Sequence, residues 1–349
     1  MADAVVDIAV LGLNEGGRLL LEAASRLGRF RVCAIAGQDT SLLERLATQY
    51  NCQAYDDYRQ LVVQNELDCL LVAAPMHSCD EYVRTAMKRR YNVLKTPPPA
   101  RNFEEAAELV RLAESEKVHF AVANLRRFSP SFLAMREALQ SGGIENVFLI
   151  EAYCWVGDEP VTPWQSDPKL AGGGVLLHKC YEVIDQLMWN FALPQHVYSL
   201  KVSQAHDKQQ RLYLTEDTAV VTMKFSDTLI ANIVASRRRG TGTSRRFIRL
   251  YGREKTLTID DVSMTVGSTS EDDTDKTVHG GDLSSCAEKM LDSFALSILS
   301  PDENKLHSSG RENLRDMAVI EAAYLSARTS MPEEPQRILQ MAQFGSDDI

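Results

Sequence analysis

The stretch Val5–Leu20, VVDIAVLGLNEGGRLL, decides the fold of the first part of the chain. It begins with a short, nearly continuous apolar run, which is typical of a parallel β-strand that is covered on both faces. Gly12, Gly16 and Gly17 then permit a sharp turn, and an amphipathic helical pattern continues to Gly28. A strand that leads through glycines into a helix directs backbone N–H groups and the positive end of the helix at one place, where a pyrophosphate fits.

The turn departs at one position from the G-x-G-x-x-G pattern of dinucleotide-binding turns. Residues 12–17 read GLNEGG, so Asn14 stands at the middle glycine position. An ordinary strand-to-helix turn is the alternative interpretation, but a series of strands and helices follows, which is the context that the pattern requires. We therefore expect cofactor contacts from the residues of this turn, which are Gly12, Leu13, Asn14, Glu15, Gly16 and Gly17.

Composition and charge limit the classes of function. The chain has 349 residues, of which 44% are hydrophobic and 25% charged, and this suits a soluble protein of two full-sized domains. No apolar run approaches the roughly 20 residues that cross a bilayer, and the N-terminus lacks the pattern of a signal peptide, so no membrane partner is expected. The net charge of −10 argues against nucleic acid as a partner.

The cysteines and one cluster of arginines add two further expectations. The seven cysteines include no CxxC pair, which favours a reducing, cytoplasmic compartment. The basic cluster is interpreted as the solvated rim of a hairpin, with an anion-binding site as the alternative. Its members are Arg237, Arg238, Arg239, Arg245 and Arg246.

Strands and helices alternate up to about residue 127, and Asp68–Ala74, DCLLVAA, is the clearest buried strand. This alternation predicts a doubly wound parallel sheet, in which ligands bind outside the carboxyl ends of the strands. One of the helices is expected at Ser41–Tyr50, with Thr40 or Ser41 as its cap. The ends of the later strands supply the other expected cofactor-binding residues, which are Gly37, Gln38, Ala74, Pro75, His77, Thr96, Pro97 and Asn124.

The pattern changes after Phe128. Strand-like stretches joined by turn-length links predict an antiparallel sheet, and one helix is expected from about Leu176 to Phe191. The polar, acidic stretch Gly267–Gly281 is predicted to be a surface loop, and two helices close the chain near Cys286–Leu299 and Glu312–Thr329.

The predicted fold class is therefore α/β with two domains. Residues 1–127 form a Rossmann domain with a doubly wound parallel sheet. Residues 128–349 form an α+β domain with an open, mainly antiparallel sheet, which is expected to carry substrate and oligomer contacts. One helix of this C-terminal segment is expected to pack back against the first domain.

Four segments in their order and spacing resemble the glucose–fructose oxidoreductase/inositol dehydrogenase (Gfo/Idh/MocA) family over nearly the whole chain. The segments are Ala74-Pro75-Met76-His77, the junction Asn124–Pro130, the run Trp164…Asp167…Gly172-Gly173-Gly174…Asp185, and the helix Gly310…Leu314…Ala318…Glu321-Ala322-Ala323-Tyr324. The resemblance implies NAD or NADP as cofactor and hydride transfer to or from a sugar-like alcohol. It also implies a homodimer or homotetramer that is joined through the open sheet.

The sequence departs from the family pattern at its catalytic positions. The family's lysine aligns with Pro97. Lys95 lies one residue before the aligned segment Thr96-Pro97-Pro98 and is the remaining lysine candidate for catalysis, although neighbouring side chains of a strand point to opposite faces. The acidic residue that holds the cofactor ribose is replaced by Gly37, with Asp39 two positions later. Gln38 carries no charge for a 2′-phosphate, so the choice between NAD and NADP stays open.

The family also places an aspartate, and four residues later a histidine, where this chain has His178 and Glu182. Neighbours at i and i+4 share a helix face, so we interpret the two as an acid–base pair with reversed order. The alternative is a surface pair left after catalysis was lost, and a metal site is the least favoured interpretation. Expected substrate contacts are Arg126, Arg127, Trp164, Tyr181 and Asp185, although one arginine is expected to be a structural ion-pair partner.

The leading functional prediction is an NAD(P)-dependent oxidoreductase that acts on a sugar, polyol or related hydroxy or keto compound. The alternative is a catalytically degenerate regulatory protein that binds a cofactor or sugar, as in the yeast galactose repressor, which resembles the same family.

Overall fold

The structure is a computed structural model that describes residues 5–157, 162–203, 214–237, 244–268 and 274–344. The chain divides into two compact units. The first consists of Met1–Ala100, Glu105–Leu125 and Leu283–Asn313, and the second of Arg101–Glu104, Arg126–Asp282 and Leu314–Ile349. Arg238 and Arg239 of the basic cluster lie outside the described residues.

The described residues form the following strands and α-helices, in chain order. The strands are β1 Val6–Leu11, β2 Phe30–Ala36, β3 Gln53–Tyr55, β4 Cys69–Val72, β5 Asn92–Lys95, β6 Phe120–Val122, β7 Leu149–Trp155, β8 His196–Val202, β9 Thr218–Lys224, β10 Ile230–Ser236, β11 Arg245–Tyr251, β12 Lys255–Asp260, β13 Ser263–Ser268 and β14 Thr274–Val278. The α-helices are α1 Glu15–Arg26, α2 Thr40–Tyr50, α3 Tyr58–Gln64, α4 Met76–Lys88, α5 Phe103–Glu116, α6 Pro130–Gln140, α7 Pro163–Ser166, α8 Pro168–Ala171, α9 Val175–Lys179, α10 Tyr181–Asn190, α11 Leu283–Leu299, α12 Gly310–Thr329 and α13 Pro335–Met341.

The first unit is built on a six-stranded parallel sheet in the order β3-β2-β1-β4-β5-β6. This order confirms the predicted doubly wound sheet, whose direction of winding reverses between β1 and β4. Strand β1 lies at the centre, where Ile8, Ala9 and Val10 are fully buried, because a central strand is covered by helices on both faces.

The first unit also contains α11, a segment that the sequence assigned to the second domain. Ion pairs join this helix to α1 and the residues after it, between Arg26 and Glu288 and between Arg29 and Asp292. The Rossmann unit is therefore discontinuous in sequence. A pairing between such distant segments leaves no mark on local composition or periodicity.

The second unit contains an eight-stranded sheet in the order β14-β13-β12-β11-β7-β10-β9-β8. Strands β7 and β10 run parallel, and every other neighbouring pair is antiparallel, which confirms the predicted sheet type. Alternate residues of β7 and β9 are buried, so one face of the sheet carries the core of the unit.

Three local predictions were wrong. Helix α2 is capped by Asp39, whose carboxylate accepts from the amide of Leu42. Residues 269–273 of the predicted loop Gly267–Gly281 lie outside the described residues, and the described part contains the end of β13 and all of β14, because ladder hydrogen bonds use the backbone and need no apolar side chains. The single helix predicted from Leu176 breaks at Cys180 into α9 and α10.

None of the described helices is both long enough and apolar enough to span a membrane.

Candidate functional site

The glycines of the first turn are required by packing in the first unit. Gly12 has a φ of +94°, and a Cβ atom there would lie 2.5 Å from the amide nitrogen of Ala74. A Cβ atom on Gly17 would lie 1.9 Å from the carbonyl oxygen of Gly12. These close approaches are the roles of the first and last glycines of a dinucleotide-binding turn.

Asn14 is the N-cap of α1 and replaces the middle glycine with two hydrogen bonds. Its Oδ1 accepts from the amide of Gly17 at 3.0 Å, and its Nδ2 donates to the carbonyl oxygen of Ala73. The side chain therefore uses a helix N-terminal N–H that a phosphate would otherwise accept from, and Glu15 adds a negative charge in the first turn. Both features weaken an anion site at this turn.

The end of β2 places Gly37, Gln38 and Asp39 before α2. A Cβ atom on Gly37 would come within 2.9 Å of Leu13 Cδ1, so the two predicted cofactor-binding residues are packed side by side. One carboxylate oxygen of Asp39 is held by the Leu42 amide at 3.0 Å. Asp39, which the sequence suggested as the acidic residue that holds the ribose, therefore already uses one carboxylate oxygen to cap α2.

The ends of β4 and β5 complete this edge of the parallel sheet. Helix α4 begins at Met76, so Ala74 and Pro75 form its approach and His77 lies exposed in its first turn. A Cβ atom on Gly16 would lie 3.3 Å from Cγ2 of Thr96, which places the end of β5 beside the glycine turn. The predicted residues of this edge therefore come together.

The amine of Lys95 is not exposed, so Lys95 does not replace the lysine that the family resemblance implies. The side chain is 3% exposed, and Nζ donates to the carbonyl oxygen of Pro98 at 2.9 Å. Burial lowers the pKa of Lys95 below its ordinary value, although Cys79 and Asp80 oppose the shift. The peptide bond between Pro97 and Pro98 is cis.

Asn124 is fully buried at the end of β6, and its amide takes part in a polar network of the first unit. Its Nδ2 donates to Oδ1 of Asn313 at 2.8 Å and to Oγ of Ser308 at 3.1 Å. The contacts join the end of β6 to Ser308 and to the first turn of α12. They give Asn124 a structural role that the sequence pattern did not reveal.

In the second unit, His178 lies half-buried on α9 and is oriented by the backbone. Its Nε2 lies 2.9 Å from the carbonyl oxygen of Ala171, and the edge of its ring meets Trp164 at a centroid distance of 5.5 Å. A carbonyl oxygen can only accept, so Nε2 carries the hydrogen of this bond. In the neutral imidazole the accepting nitrogen is then Nδ1.

Glu182 follows on α10, and the structure gives it a different partner from the one predicted. Its carboxylate pairs with Nη1 of Arg126, while Arg126 Nε donates to Asp261 at 2.8 Å. The sequence predicted that Glu182 orients His178, but the break at Cys180 places the two residues on different helices, so the i and i+4 argument does not apply. The Ala171 carbonyl orients the imidazole.

Three of the predicted substrate residues form the interior of the second unit. Arg127 and Asp185 make a bidentate ion pair with a shortest distance of 2.6 Å, and their side chains are 5% and 0% exposed. Tyr181 is 1% exposed, and burial raises its pKa well above the ordinary value. These side chains stabilise the fold and offer no surface to a substrate, whereas Trp164 is half-buried beside His178.

The three glycines before α9 are held by contacts that sequence reasoning missed. A Cβ atom would lie 2.1 Å from the Arg101 carbonyl oxygen at Gly172 and 2.0 Å from the Tyr324 hydroxyl at Gly173. At Gly174 it would lie 1.9 Å from the carbonyl oxygen of Glu216. Substitution at any of the three would therefore displace the segment that carries His178.

Glu216 fixes this turn from a distant part of the chain. Its carboxylate is buried and accepts from the amides of Gly174 at 2.9 Å and Leu176 at 3.1 Å, and from the Tyr324 hydroxyl at 2.9 Å. The anion satisfies N–H groups at the start of α9, where the helix dipole favours negative charge. No motif around residue 216 signals this role.

No group of three or more histidine, cysteine or acidic side chains arranged to hold a metal ion occurs among the residues that the structure describes.

Two family profiles match the chain. Residues 6–124 match the oxidoreductase family with an NAD-binding Rossmann fold, and residues 132–258 match the GFO/IDH/MocA C-terminal domain. The matched ranges correspond to the parallel-sheet unit and to most of the antiparallel-sheet unit.

Curated relatives share limited identity. The chain is 24% identical over 183 residues to the rhizopine catabolism protein MocA of Rhizobium meliloti, covering 52% of this chain and 56% of that protein. It is 20% identical over 272 residues to the uncharacterized oxidoreductase YrbE of Bacillus subtilis, covering 76% of each. It is 27% identical to inositol 2-dehydrogenase 1 of Mycolicibacterium vanbaalenii over 50% of this chain. The chain spans about half the length of MocA and of the inositol dehydrogenase.

Solved structures show the same fold. An oxidoreductase from Agrobacterium radiobacter in complex with NAD+, L-tartaric acid and magnesium superposes with a TM-score of 0.82 at 16% identity, covering 96% of this chain and 99% of that one. A levoglucosan dehydrogenase in complex with NADH and levoglucosan superposes with a TM-score of 0.83 at 15% identity, covering 94% and 99%. Together with the two profile matches, these findings place the chain in the Gfo/Idh/MocA oxidoreductase family, with an NAD-binding Rossmann domain in its N-terminal part.

Proposed function

We propose that the protein is an oxidoreductase that binds NAD or NADP at the glycine turn and moves a hydride to or from a sugar, polyol or related hydroxy compound. The observation that carries the proposal is the turn at residues 12–17, whose first and last glycines are required by close backbone approach. The substrate class follows the named activities of relatives such as inositol 2-dehydrogenase and levoglucosan dehydrogenase.

Dinucleotide binding is tested by calorimetry with NAD, NADH, NADP and NADPH. Gly16→Ala is the informative variant, because its methyl group would lie 3.3 Å from Thr96. It would narrow the glycine turn that is proposed to bind the phosphates, without a severe clash. Gly28→Ala is the matched control, since nothing lies within 4 Å of its new methyl group. We expect the first variant to weaken binding and the control to leave it unchanged. Absence of binding to the wild-type protein at millimolar dinucleotide contradicts the proposal.

His178 is the proposed proton acceptor. Because Nε2 donates to the Ala171 carbonyl, Nδ1 is the nitrogen that takes the proton of a substrate hydroxyl. A bound nicotinamide would supply a hydride acceptor for the carbon that bears this hydroxyl, so that the alcohol would lose a proton and a hydride to give a carbonyl. Histidine is the side chain that most often acts as a general base in such proton transfers.

A panel of sugars and polyols tests the catalytic role. A positioned base is worth about 10²–10⁴ in rate, so His178→Ala should lower turnover by at least about a hundredfold and leave dinucleotide affinity unchanged. His196→Ala on β8 is the control, because that side chain is exposed and outside the proposed site. Wild-type turnover by His178→Ala assigns the base elsewhere.

A regulatory protein that binds ligand without turnover is the second candidate. The observation that favours it is the loss of the family's lysine to Pro97, together with the burial of the Lys95 amine against Pro98. Dinucleotide binding without turnover of any substrate in the panel supports this candidate over the enzyme.

We also propose that the protein forms a homodimer or homotetramer through the outer face of the antiparallel sheet. Outward residues of β7, β8 and β10 expose apolar side chains, including Trp155 at 41%, Leu200 at 60% and Ile230 at 48%. Closed symmetric assemblies cover such faces. Light scattering should show an oligomer that Leu200→Glu dissociates, whereas a wild-type monomer at micromolar concentration contradicts the proposal. A cytoplasmic location is proposed with it, supported by the seven cysteines, all within the described residues and none in a disulfide.

A further inference from the structure

The carbonyl group that orients His178 belongs to a very short helix. Helix α8 spans Pro168–Ala171, and the carbonyl oxygen of Ala171, its last residue, lies 2.9 Å from Nε2 of His178. Four residues form little more than one helical turn, which is not stable without contacts from outside the turn. The orientation of the imidazole therefore depends on the groups that hold α8 in place.

The two ends of α8 are held by different parts of the chain. At its start, the carboxylate of the N-cap Asp167 accepts from the amide of Lys169 at 2.8 Å. Near its end, the carbonyl oxygen of Lys169 accepts from Nη1 of Arg101 at 3.0 Å. The last four carbonyl groups of a helix have no partner within the helix, and a charged donor binds them more strongly than a neutral one. Arg101 therefore supplies a contact that α8 cannot provide for itself.

The backbone of Arg101 makes a second contact, at the residue after α8. Gly172 has a φ of +76°, and a Cβ atom there would lie 2.1 Å from the carbonyl oxygen of Arg101. Arg101 thus contacts the chain on both sides of Ala171, through its side chain at Lys169 and through its backbone at Gly172. Two contacts that flank a residue restrict the rotation and displacement of its carbonyl group.

Arg101 reaches this position from far along the chain. It begins the segment Arg101–Glu104, which belongs with the second unit, although Ala100 and Glu105 on either side belong with the first. A separation of 68 residues lies between Arg101 and Lys169. No local pattern around either residue indicates the contact.

We propose that Arg101 is a positioning residue for His178. It fixes the Ala171 carbonyl group, which holds the Nε2 hydrogen of the imidazole and leaves Nδ1 as the nitrogen that accepts a proton. The catalytic part of the proposal rests on the proposed function, in which Nδ1 takes the proton of a substrate hydroxyl. The effect of Arg101 on the imidazole itself does not depend on turnover.

Nuclear magnetic resonance of the full chain, labelled with nitrogen-15 histidine, tests the contact without a substrate. A ring N–H that donates to a buried carbonyl group exchanges slowly with water and gives a resolved proton signal. We expect this signal from Nε2 of His178, identified by its absence in His178→Ala, and we expect Arg101→Ala to lose it. His119 is the internal control, because its Nε2 lies 3.1 Å from the Ser297 carbonyl oxygen in the first unit and its signal should remain.

Turnover with the panel of sugars and polyols gives the second readout. Arg101→Ala should lower kcat about tenfold, because a displaced base keeps only part of the 10²–10⁴ in rate that a positioned base is worth. KM and dinucleotide affinity should stay unchanged. Arg101→Lys should restore most of the rate, since an ammonium group can donate to the same carbonyl oxygen. Arg45→Ala, which replaces an exposed arginine of α2, is the matched control and should change neither readout.

The outcomes separate the positioning role from the proposed activity. An unchanged His178 signal in folded Arg101→Ala overturns the proposal, and so does an Arg101→Lys rate as low as that of Arg101→Ala. Loss of the His119 signal in Arg101→Ala also overturns it, because the change would then not be confined to the segment that carries His178. If the wild type turns over no substrate while Arg101→Ala loses the His178 signal alone, the positioning role stands and the proposed activity fails.

Discussion

Replacing Glu216 by alanine tests how the His178 segment is held. The carboxylate accepts hydrogen bonds from two backbone amides and from the Tyr324 hydroxyl in a buried position. Each buried donor that loses its partner costs about 1–3 kcal/mol, and release of the buried carboxylate returns part of the total. We therefore expect Glu216→Ala to lower the free energy of unfolding by about 3–5 kcal/mol, a large part of the 5–15 kcal/mol that is typical of a domain.

The glutamine variant refines the same prediction. Glu216→Gln keeps one carbonyl oxygen that can accept from the amide of Gly174 or Leu176, so its loss should be smaller, about 1–2 kcal/mol. The exposed Glu66 provides a matched control, whose replacement by alanine should change stability by less than about 0.5 kcal/mol.

Urea unfolding followed by tryptophan fluorescence measures the three variants against the wild type. Hydrogen–deuterium exchange supplies a local readout, since the peptide that contains Gly174 and Leu176 should lose protection more than the strands of the first unit. Equal stability of Glu216→Ala and Glu66→Ala, or unchanged protection of that peptide, would refute the reasoning from the hydrogen bonds.

Three other substitutions follow from the contacts. Asn14→Gly should tighten dinucleotide binding several-fold by releasing the Gly17 amide, while the lost bonds cost about 1 kcal/mol of stability; calorimetry that shows weaker binding contradicts this. Asp185→Asn should cost about 3 kcal/mol in urea unfolding, because it leaves the buried guanidinium of Arg127 without its main carboxylate, and a cost below about 1 kcal/mol speaks against the ion pair. Burial and the neighbouring Asp185 raise the pKa of Asp316 well above its ordinary value, so the contribution of Asp316 to stability is complete below the unfolded pKa of about 4 and is lost as pH rises through the folded pKa. Asp316→Asn cannot ionise, so its stability relative to the wild type should increase as pH rises from about 4 to 8, and parallel curves across that range would exclude the effect.

Local sequence predicted those features of the fold that depend on interactions between residues a few positions apart. The apolar run of β1 predicts a strand buried on both faces, and Gly12 and Gly17 predict a turn, because periodicity and glycine conformations are properties of neighbouring residues. Alternation of short strands and helices then specifies a parallel sheet with its ligand edge at the strand ends. The structure confirms both sheet types on this basis.

Local sequence failed where a partner comes from far along the chain. The i and i+4 rule predicted that Glu182 pairs with His178. The Glu182 carboxylate instead forms an ion pair with Arg126, which is distant in sequence and which no local pattern indicates. The same limit applies to Asn124, which a strand-end position offered to the cofactor and which distant Asn313 binds instead. A polar side chain that is buried on folding forms its hydrogen bond or ion pair with the partner that the fold brings close to it. The separation of the two residues along the sequence does not predict that distance.

The sequence by itself determined the two sheet types and the glycine turn of the NAD-binding domain, and it shows Pro97 where the family resemblance implies a lysine. Only the tertiary structure decided that α11 belongs with the Rossmann unit, that Glu216 holds the turn before His178, and that Arg101 contacts α8. The physical reason is the sequence distance over which each interaction acts. Backbone propensity and apolar periodicity depend on residues within about one helix or strand. Ion pairs and buried hydrogen bonds depend instead on which elements pack together in the core.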